Sequence, residues 1–186
     1  GTDLHVQGSL TDAAGLATAE PADCAVALAV ADVHTPPGTE PDPARLARLL
    51  AEALPDADDA LRRAVFFARP ATALLLGAGP GPGPGPHRYS SFDPAASDAR
   101  LVLVAVRGEP AERAADLART VDRARRAGAL SVWPPGPGPG RSVLVLLPAS
   151  RLAAVRAAVT AEFRERGRPV PRFLNVTVAG AARRED

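Results

Sequence analysis

The sequence predicts an α+β protein in which helices cover one face of an antiparallel sheet. Three observations lead to this class. The chain has 186 residues, enough to bury one core or two small ones. Its second half alternates short apolar runs with amphipathic helical segments. Two Gly-Pro tracts, Gly77 to Pro86 and Pro134 to Gly140, interrupt the pattern where neither a helix nor a central strand can form.

The first half of the chain predicts two strands and two helices. In order, they are a strand at 23–33, a helix from Asp42, a helix started by Asp56 and Asp59, and a strand at 72–76. The run at 23–33 is apolar, and we expect Cys24 to be a small buried residue within it. Asp42 is suited to cap a helix whose first turn holds Pro43.

The second half predicts the order strand, helix, strand, strand, helix, strand. These elements are 100–106, 110–127, 129–133, 142–147, a helix capped by Ser150, and 173–178. Gly128 and Gly167 are placed to end the two helices. We expect one face of the third strand to pack on the stripe of the second helix; the residues are Val143, Val145 and Leu147 against Leu152, Val155, Val159 and Phe163. This order is typical of the split βαβ, or ferredoxin-like, sheet.

Both Gly-Pro tracts are predicted to be surface loops. The second tract joins neighbouring strands, so we expect its deletion to disturb strand pairing more than shortening the first tract does.

The composition excludes several classes of function. A net charge of +1 gives no strong basic field for nucleic acid, and all 22 basic residues are arginine, as in GC-rich coding sequences. One cysteine and three scattered histidines give no disulfide framework and no metal-ligand pattern. The apolar runs are too short to span a membrane, and no secretion signal is visible. We therefore expect a cytoplasmic protein without nucleic acid or membrane as a partner.

Three short segments follow one another in the last third of the chain. They are AGAL at 127–130, VLVLLPASRL at 143–152 and AGAAR at 179–183, with a Gly-rich turn after the first. In order and spacing they resemble the C-terminal end of galactokinases, members of the GHMP family of small-molecule kinases. Fainter similarity lies at 1–8, 21–36 and 54–70.

The resemblance implies a domain organisation and a set of ligands. Residues 1–76 would be an incomplete N-terminal α/β part of a GHMP-like C-terminal lobe, 77–98 a Gly/Pro-rich loop, and 99–186 a ferredoxin-like segment. The implied cofactors are ATP and Mg²⁺, and the implied partners are a nucleotide and galactose or a related sugar.

The resemblance also implies candidate site residues. Asp3 is similar to the catalytic Asp of the family, while Gly136, Gly138, Gly140 and Arg141 correspond to its phosphate-binding Gly-rich turn. Prolines between these glycines remove N–H donors, so we expect weaker phosphate binding. Two ordinary interpretations remain open: Asp3 as a frayed terminal residue and Arg141 as a solvated loop charge.

The family's first substrate motif and its GLSSSA phosphate loop are not in the sequence. We therefore expect a missing N-terminal half, either upstream of Gly1 or lost, and little phosphorylation by the chain alone. Three functions stay open. The first is an ATP-dependent sugar kinase of the galactokinase type, truncated or degenerate. The second is a non-catalytic α+β binding or regulatory module. The third is a subunit that completes a kinase with a separate N-terminal half.

Overall fold

The computed structural model describes residues 3–7, 16, 18–36, 38–77, 87–135 and 140–183. They form a mixed α+β protein with five α-helices and two antiparallel sheets, which agrees with the predicted α+β class. The chain divides into two compact units, the first mostly Ala17–Phe92 with Val178–Asp186 and the second mostly Asp93–Thr177. Each unit has a buried apolar cluster of its own.

The first unit contains three helices and a two-stranded sheet. Its elements are α1 (Ala19–His34), α2 (Pro43–Ala53), α3 (Asp59–Phe67), β1 (Thr72–Leu76) and β2 (His87–Ser91). The two strands are antiparallel, with Leu76 opposite His87. The predicted helix from Asp42 and strand at 72–76 are confirmed. β2 was not predicted, because its sequence, HRYSS, contains no apolar run.

The predicted strand at 23–33 is wrong, because this run lies within α1. Alanine, the strongest helix former, is its most frequent residue. A continuous apolar run has no polar alternation that would separate a helix from a buried strand. Cys24 is buried as expected, but on a helix. Burial raises the pKa of its thiol to about 11, so the thiol stays protonated at neutral pH.

The predicted cap of α3 is also wrong. Asp58 is the capping residue, and its carboxylate accepts hydrogen bonds from the backbone N–H groups of Ala60 at 2.8 Å and Leu61 at 3.3 Å. Asp56 and Asp59 were expected because aspartates crowd this helix start. Only the residue directly before the first turn has the extended backbone that lets a side chain reach those N–H groups.

Arg62 connects two helices of the first unit. Its side chain is buried, and its guanidinium donates to the carbonyl oxygens of Leu50 at 2.6 Å and Leu54 at 2.9 Å. These carbonyls lie at the C-terminal end of α2, where the helix dipole favours a positive charge. The charge of Arg62 therefore ties α3 to the end of α2.

The second unit contains four strands and two α-helices in the predicted order. They are β3 (Ala99–Ala105), α4 (Pro110–Arg126), β4 (Ser131–Trp133), β5 (Ser142–Pro148), α5 (Leu152–Glu165) and β6 (Arg172–Val176). The sheet order is β4-β5-β3-β6, and all neighbouring strands are antiparallel. β3 therefore lies between β5 and β6.

One face of this sheet forms the core with α4 and α5. The buried cluster includes Val102, Val104, Ala124, Val143, Val145, Leu147, Val155, Val159 and Phe163, with Leu152 partly buried against it. The predicted packing of β5 on the stripe of α5 is confirmed, because both sets of residues belong to one cluster.

Glycines end both helices of the second unit as predicted. Gly128 has a φ of 103° and Gly167 a φ of 64°, which side chains rarely adopt. The predicted cap Ser150 is wrong. Ser150 lies in a short 3₁₀ turn, Ala149–Arg151, and α5 begins after it at Leu152 without a side-chain cap.

Most of each Gly-Pro tract, 78–86 and 136–139, lies outside the described residues. The strands beside the tracts are described. The first tract connects β1 to β2, and the second connects β4 to β5. Both therefore join paired strands, and the expected difference in their importance loses its structural basis.

The burial of Val155 in the core predicts how its replacement changes the stability of the second unit. Val155→Ala should lower its free energy of unfolding by about 1–3 kcal/mol, because Val155 is 2% exposed within the cluster. The single tryptophan, Trp133, lies in β4, so its fluorescence in a urea titration follows this unit. Arg164→Ala, an exposed change on the same helix, is the control. A loss below about 0.5 kcal/mol for Val155→Ala would contradict the packing.

Candidate functional site

Three arginines lie at one end of the sheet in the second unit. Arg107 follows β3, Arg141 precedes β5 and Arg172 begins β6. Because β3 is antiparallel to both neighbours, its end adjoins the beginnings of β5 and β6. Ala105 accordingly pairs with Ser142 on one side and with Arg172 on the other. The fold thus gathers one arginine from each of three adjacent strand ends.

These arginines share a cavity of about 350 Å³. We call it the arginine cavity; its lining residues are Val106, Arg107, Gly108, Glu109, Arg141 and Arg172. The three arginine side chains are exposed, and no guanidinium among them has an ion pair or hydrogen bond with another described residue. Glu109, the carboxylate of the lining, is likewise unpaired within the described residues. The cavity therefore has an excess of positive charge.

Several carboxylates of α4 and α5 pair with other arginines. Asp116 pairs with Arg119 at 3.3 Å and with Arg168 at 2.9 Å. Glu112 also pairs with Arg168. None of these paired side chains is among the residues that line the arginine cavity, and no described carboxylate pairs with the arginines of the cavity.

Gly108 packs closely against the paired Arg168. A Cβ atom at position 108 would lie 3.1 Å from Nη2 of Arg168 and 3.4 Å from Oδ2 of Asp116. Hydrogen bonds to Asp116 and Glu112 raise the pKa of Arg168 and hold its guanidinium in place. A side chain at position 108 would therefore require the guanidinium of Arg168 to shift by a few tenths of an ångström.

The structure describes three of the five predicted site residues. Asp3 lies in the first unit, where it is exposed and has no hydrogen bond or ion pair with a described residue. Gly136 and Gly138 lie outside the described residues. Arg141 lines the arginine cavity, and Gly140 lines a second cavity considered below.

Sequence reasoning missed Arg107 and Arg172. Each stands at the end of a predicted strand, where an exposed arginine is ordinary. The predicted strand order offered a usable signal. In a split βαβ sheet the first strand lies between the third and the fourth, so residues at these strand ends meet.

The ligands implied by the resemblance fit the described residues in part. The exposed arginines of the cavity suit phosphate oxygens. Across the described ranges, no group of three or more His, Cys, Asp or Glu side chains is placed to hold a metal ion, so we assign no residues to Mg²⁺.

In the same ranges no helix combines the length and apolar character needed to cross a bilayer.

Comparison of the chain with models of protein families gives no match, and comparison with curated proteins gives none either. The resemblance to galactokinases therefore stays a prediction that rests on its motifs.

Glu162 of α5 pairs with one arginine on α4 and with one at the end of its own helix. Its buried carboxylate accepts a hydrogen bond from Arg166, on the turn after α5, and one from Nε of Arg123 on α4 at 2.6 Å. These hydrogen bonds, that of Arg166 first, lower the pKa of Glu162. The ion pair with Arg123 joins the two helices behind the sheet.

The pKa of Glu162 predicts a pH dependence of stability. A carboxyl pKa that is lower in the folded state stabilises the protein above the unfolded value of about 4.3. This contribution is lost as the pH falls through the lower folded pKa. We expect the urea midpoint of Trp133 fluorescence to fall less steeply below a pH of about 5 in Glu162→Gln than in the parent.

The matched control is Glu165→Gln, because Glu165 is exposed on the same helix and forms no ion pair with a described residue. It should keep the steep dependence of the parent. Equal slopes for Glu162→Gln and the parent would show that the ion pairs do not stabilise this helix contact.

Proposed function

We propose that the second unit is a ferredoxin-like module that binds a phosphate-bearing anion in the arginine cavity. Two observations support the ferredoxin-like interpretation: the β-α-β-β-α-β order and the sheet order β4-β5-β3-β6. Such sheets serve many functions, so the function must be argued from the site.

The observation that carries the proposal is that three arginines line one small cavity, and none of their guanidinium groups has a partner among the described residues. Like charges repel one another, and an anion among them removes this repulsion. Arg119 and Arg123 of α4, by contrast, pair with carboxylates.

Phosphate is the anion that suits this arrangement best. A guanidinium offers parallel N–H donors that match two oxygens of a phosphate group, and a tetrahedral phosphate can meet several such groups at once. The N-terminal end of α4 follows the cavity residue Glu109 directly, and its dipole adds a further positive contribution.

A sugar kinase of the galactokinase type is the second candidate, either alone or completed by a separate N-terminal half. The observation in its favour is that Arg141, which the resemblance places in a phosphate-binding turn, lines the arginine cavity. ATP would then bind with its phosphates in the arginine cavity, and galactose or a related sugar would accept the phosphoryl group. Both candidates bind phosphate, but only the kinase would transfer a phosphoryl group from ATP to a sugar.

Phosphate binding can be tested by calorimetry with pyrophosphate at low ionic strength. We expect Arg107→Gln, Arg141→Gln and Arg172→Gln each to weaken binding about tenfold or more. The reason is that a hydrogen bond between charged groups contributes about 1.5–3 kcal/mol.

The matched control is Arg164→Gln, which removes an exposed arginine of α5 outside the cavity. It should bind pyrophosphate like the parent. An equal loss in Arg164→Gln would show that only general surface charge attracts the anion, and no binding by the parent would refute the proposal.

A coupled assay with ATP, Mg²⁺ and galactose separates the two candidates. For the chain alone we expect no turnover above background, because phosphoryl transfer needs several groups acting together and the GLSSSA loop is not in the sequence. A full-length galactokinase serves as the positive control. Turnover of about 1 s⁻¹ or faster would make the kinase the correct function.

A further inference from the structure

A second cavity adjoins the arginine cavity along the chain. It has a volume of about 260 Å³ and is lined by Pro110, Arg113, Ala114, Leu117 and Gly140. Pro110 follows the cavity residue Glu109 directly, and Gly140 directly precedes Arg141. Consecutive residues are about 3.8 Å apart. The linings of the two cavities therefore adjoin at two places on the backbone.

The second cavity differs from the first in its chemistry. Pro110, Ala114 and Leu117 are apolar, and Leu117 also packs against the core cluster. Arg113 provides its positive charge, yet Nε of Arg113 is buried and has no acceptor among the described residues. A buried donor without a partner is unfavourable, so an acceptor atom of a ligand would stabilise it.

We propose that the ligand is a phosphate monoester with a small apolar group, its phosphate in the arginine cavity and its apolar group against Ala114 and Leu117. This inference rests on the proposed phosphate binding. The ester oxygen or a phosphate oxygen near the junction accepts the hydrogen bond from Arg113. An apolar cavity of about 150 Å³ can hold a benzene ring, so the second cavity has room for one ring.

The test compares phenyl phosphate with inorganic phosphate by calorimetry at a pH of about 8. Phenyl phosphate then carries close to two negative charges, because the second pKa of a phosphate monoester is about 6, and most of the inorganic phosphate is also the dianion at this pH. The parent protein should bind phenyl phosphate about tenfold more tightly or better, since only this probe buries apolar surface.

Two matched variants locate the effect. Ala114→Leu fills the second cavity and should abolish the preference while it leaves inorganic phosphate binding unchanged. Ala118→Leu makes the same change at an exposed position of α4 outside the cavity and should keep the preference. Arg113→Gln should weaken phenyl phosphate binding more than inorganic phosphate binding.

The outcomes separate this inference from the proposed function. Absence of binding of both pyrophosphate and inorganic phosphate in the parent refutes the proposed function and this inference with it. Phosphate binding without a preference for phenyl phosphate refutes only the ester. A preference that survives in Ala114→Leu also refutes it, because the apolar group would then lie elsewhere.

Discussion

The ion pairs of Arg168 hold together the end of the second unit that carries the candidate site. Its guanidinium pairs with Asp116 and Glu112, and so joins the segment after α5 to the first turns of α4. Asp116 is almost fully buried, and a buried carboxylate without its partner would be strongly destabilising. Gly108 packs on this pair, which fixes the loop that carries Arg107.

The arginines of the second unit fall into two groups with different roles. Arg123, Arg166 and Arg168 pair with carboxylates that are largely buried, and the pairs of Arg123 and Arg168 connect α4 to α5 and to the segment after it. Arg107 and Arg141 belong to the other group, which lines a cavity and has no such partner within the described residues. The arginines that pair with carboxylates stabilise the fold of the second unit. The arginines of the cavity are the ones that suggest a ligand.

The sequence predicts much of the second unit because its signals are local. A short apolar run marks β5, a helical stripe marks α5, and Gly128 marks a helix end. The first unit was harder to predict. The run in α1 has no periodic polarity, and β2 has no apolar run at all. Local patterns carry little information where tertiary packing selects the element.

The residues of the candidate site likewise divide into those that a local pattern predicts and those that it does not. Arg141 was predicted because it lies in a motif-like turn, whereas Arg107 and Arg172 are separated from it by many residues and meet it only through strand pairing. Within the described residues, their lack of carboxylate partners depends on where the other charged side chains lie in the fold. No local pattern records that, so only the three-dimensional structure brings the three together.

The most direct test is a crystal structure of the protein grown with pyrophosphate. We predict a phosphate group within hydrogen-bonding distance of at least two guanidinium groups among Arg107, Arg141 and Arg172, with Gly108 still packed on Arg168. A structure in which these guanidinium groups contact only water, while pyrophosphate is present at saturating concentration, would contradict the account.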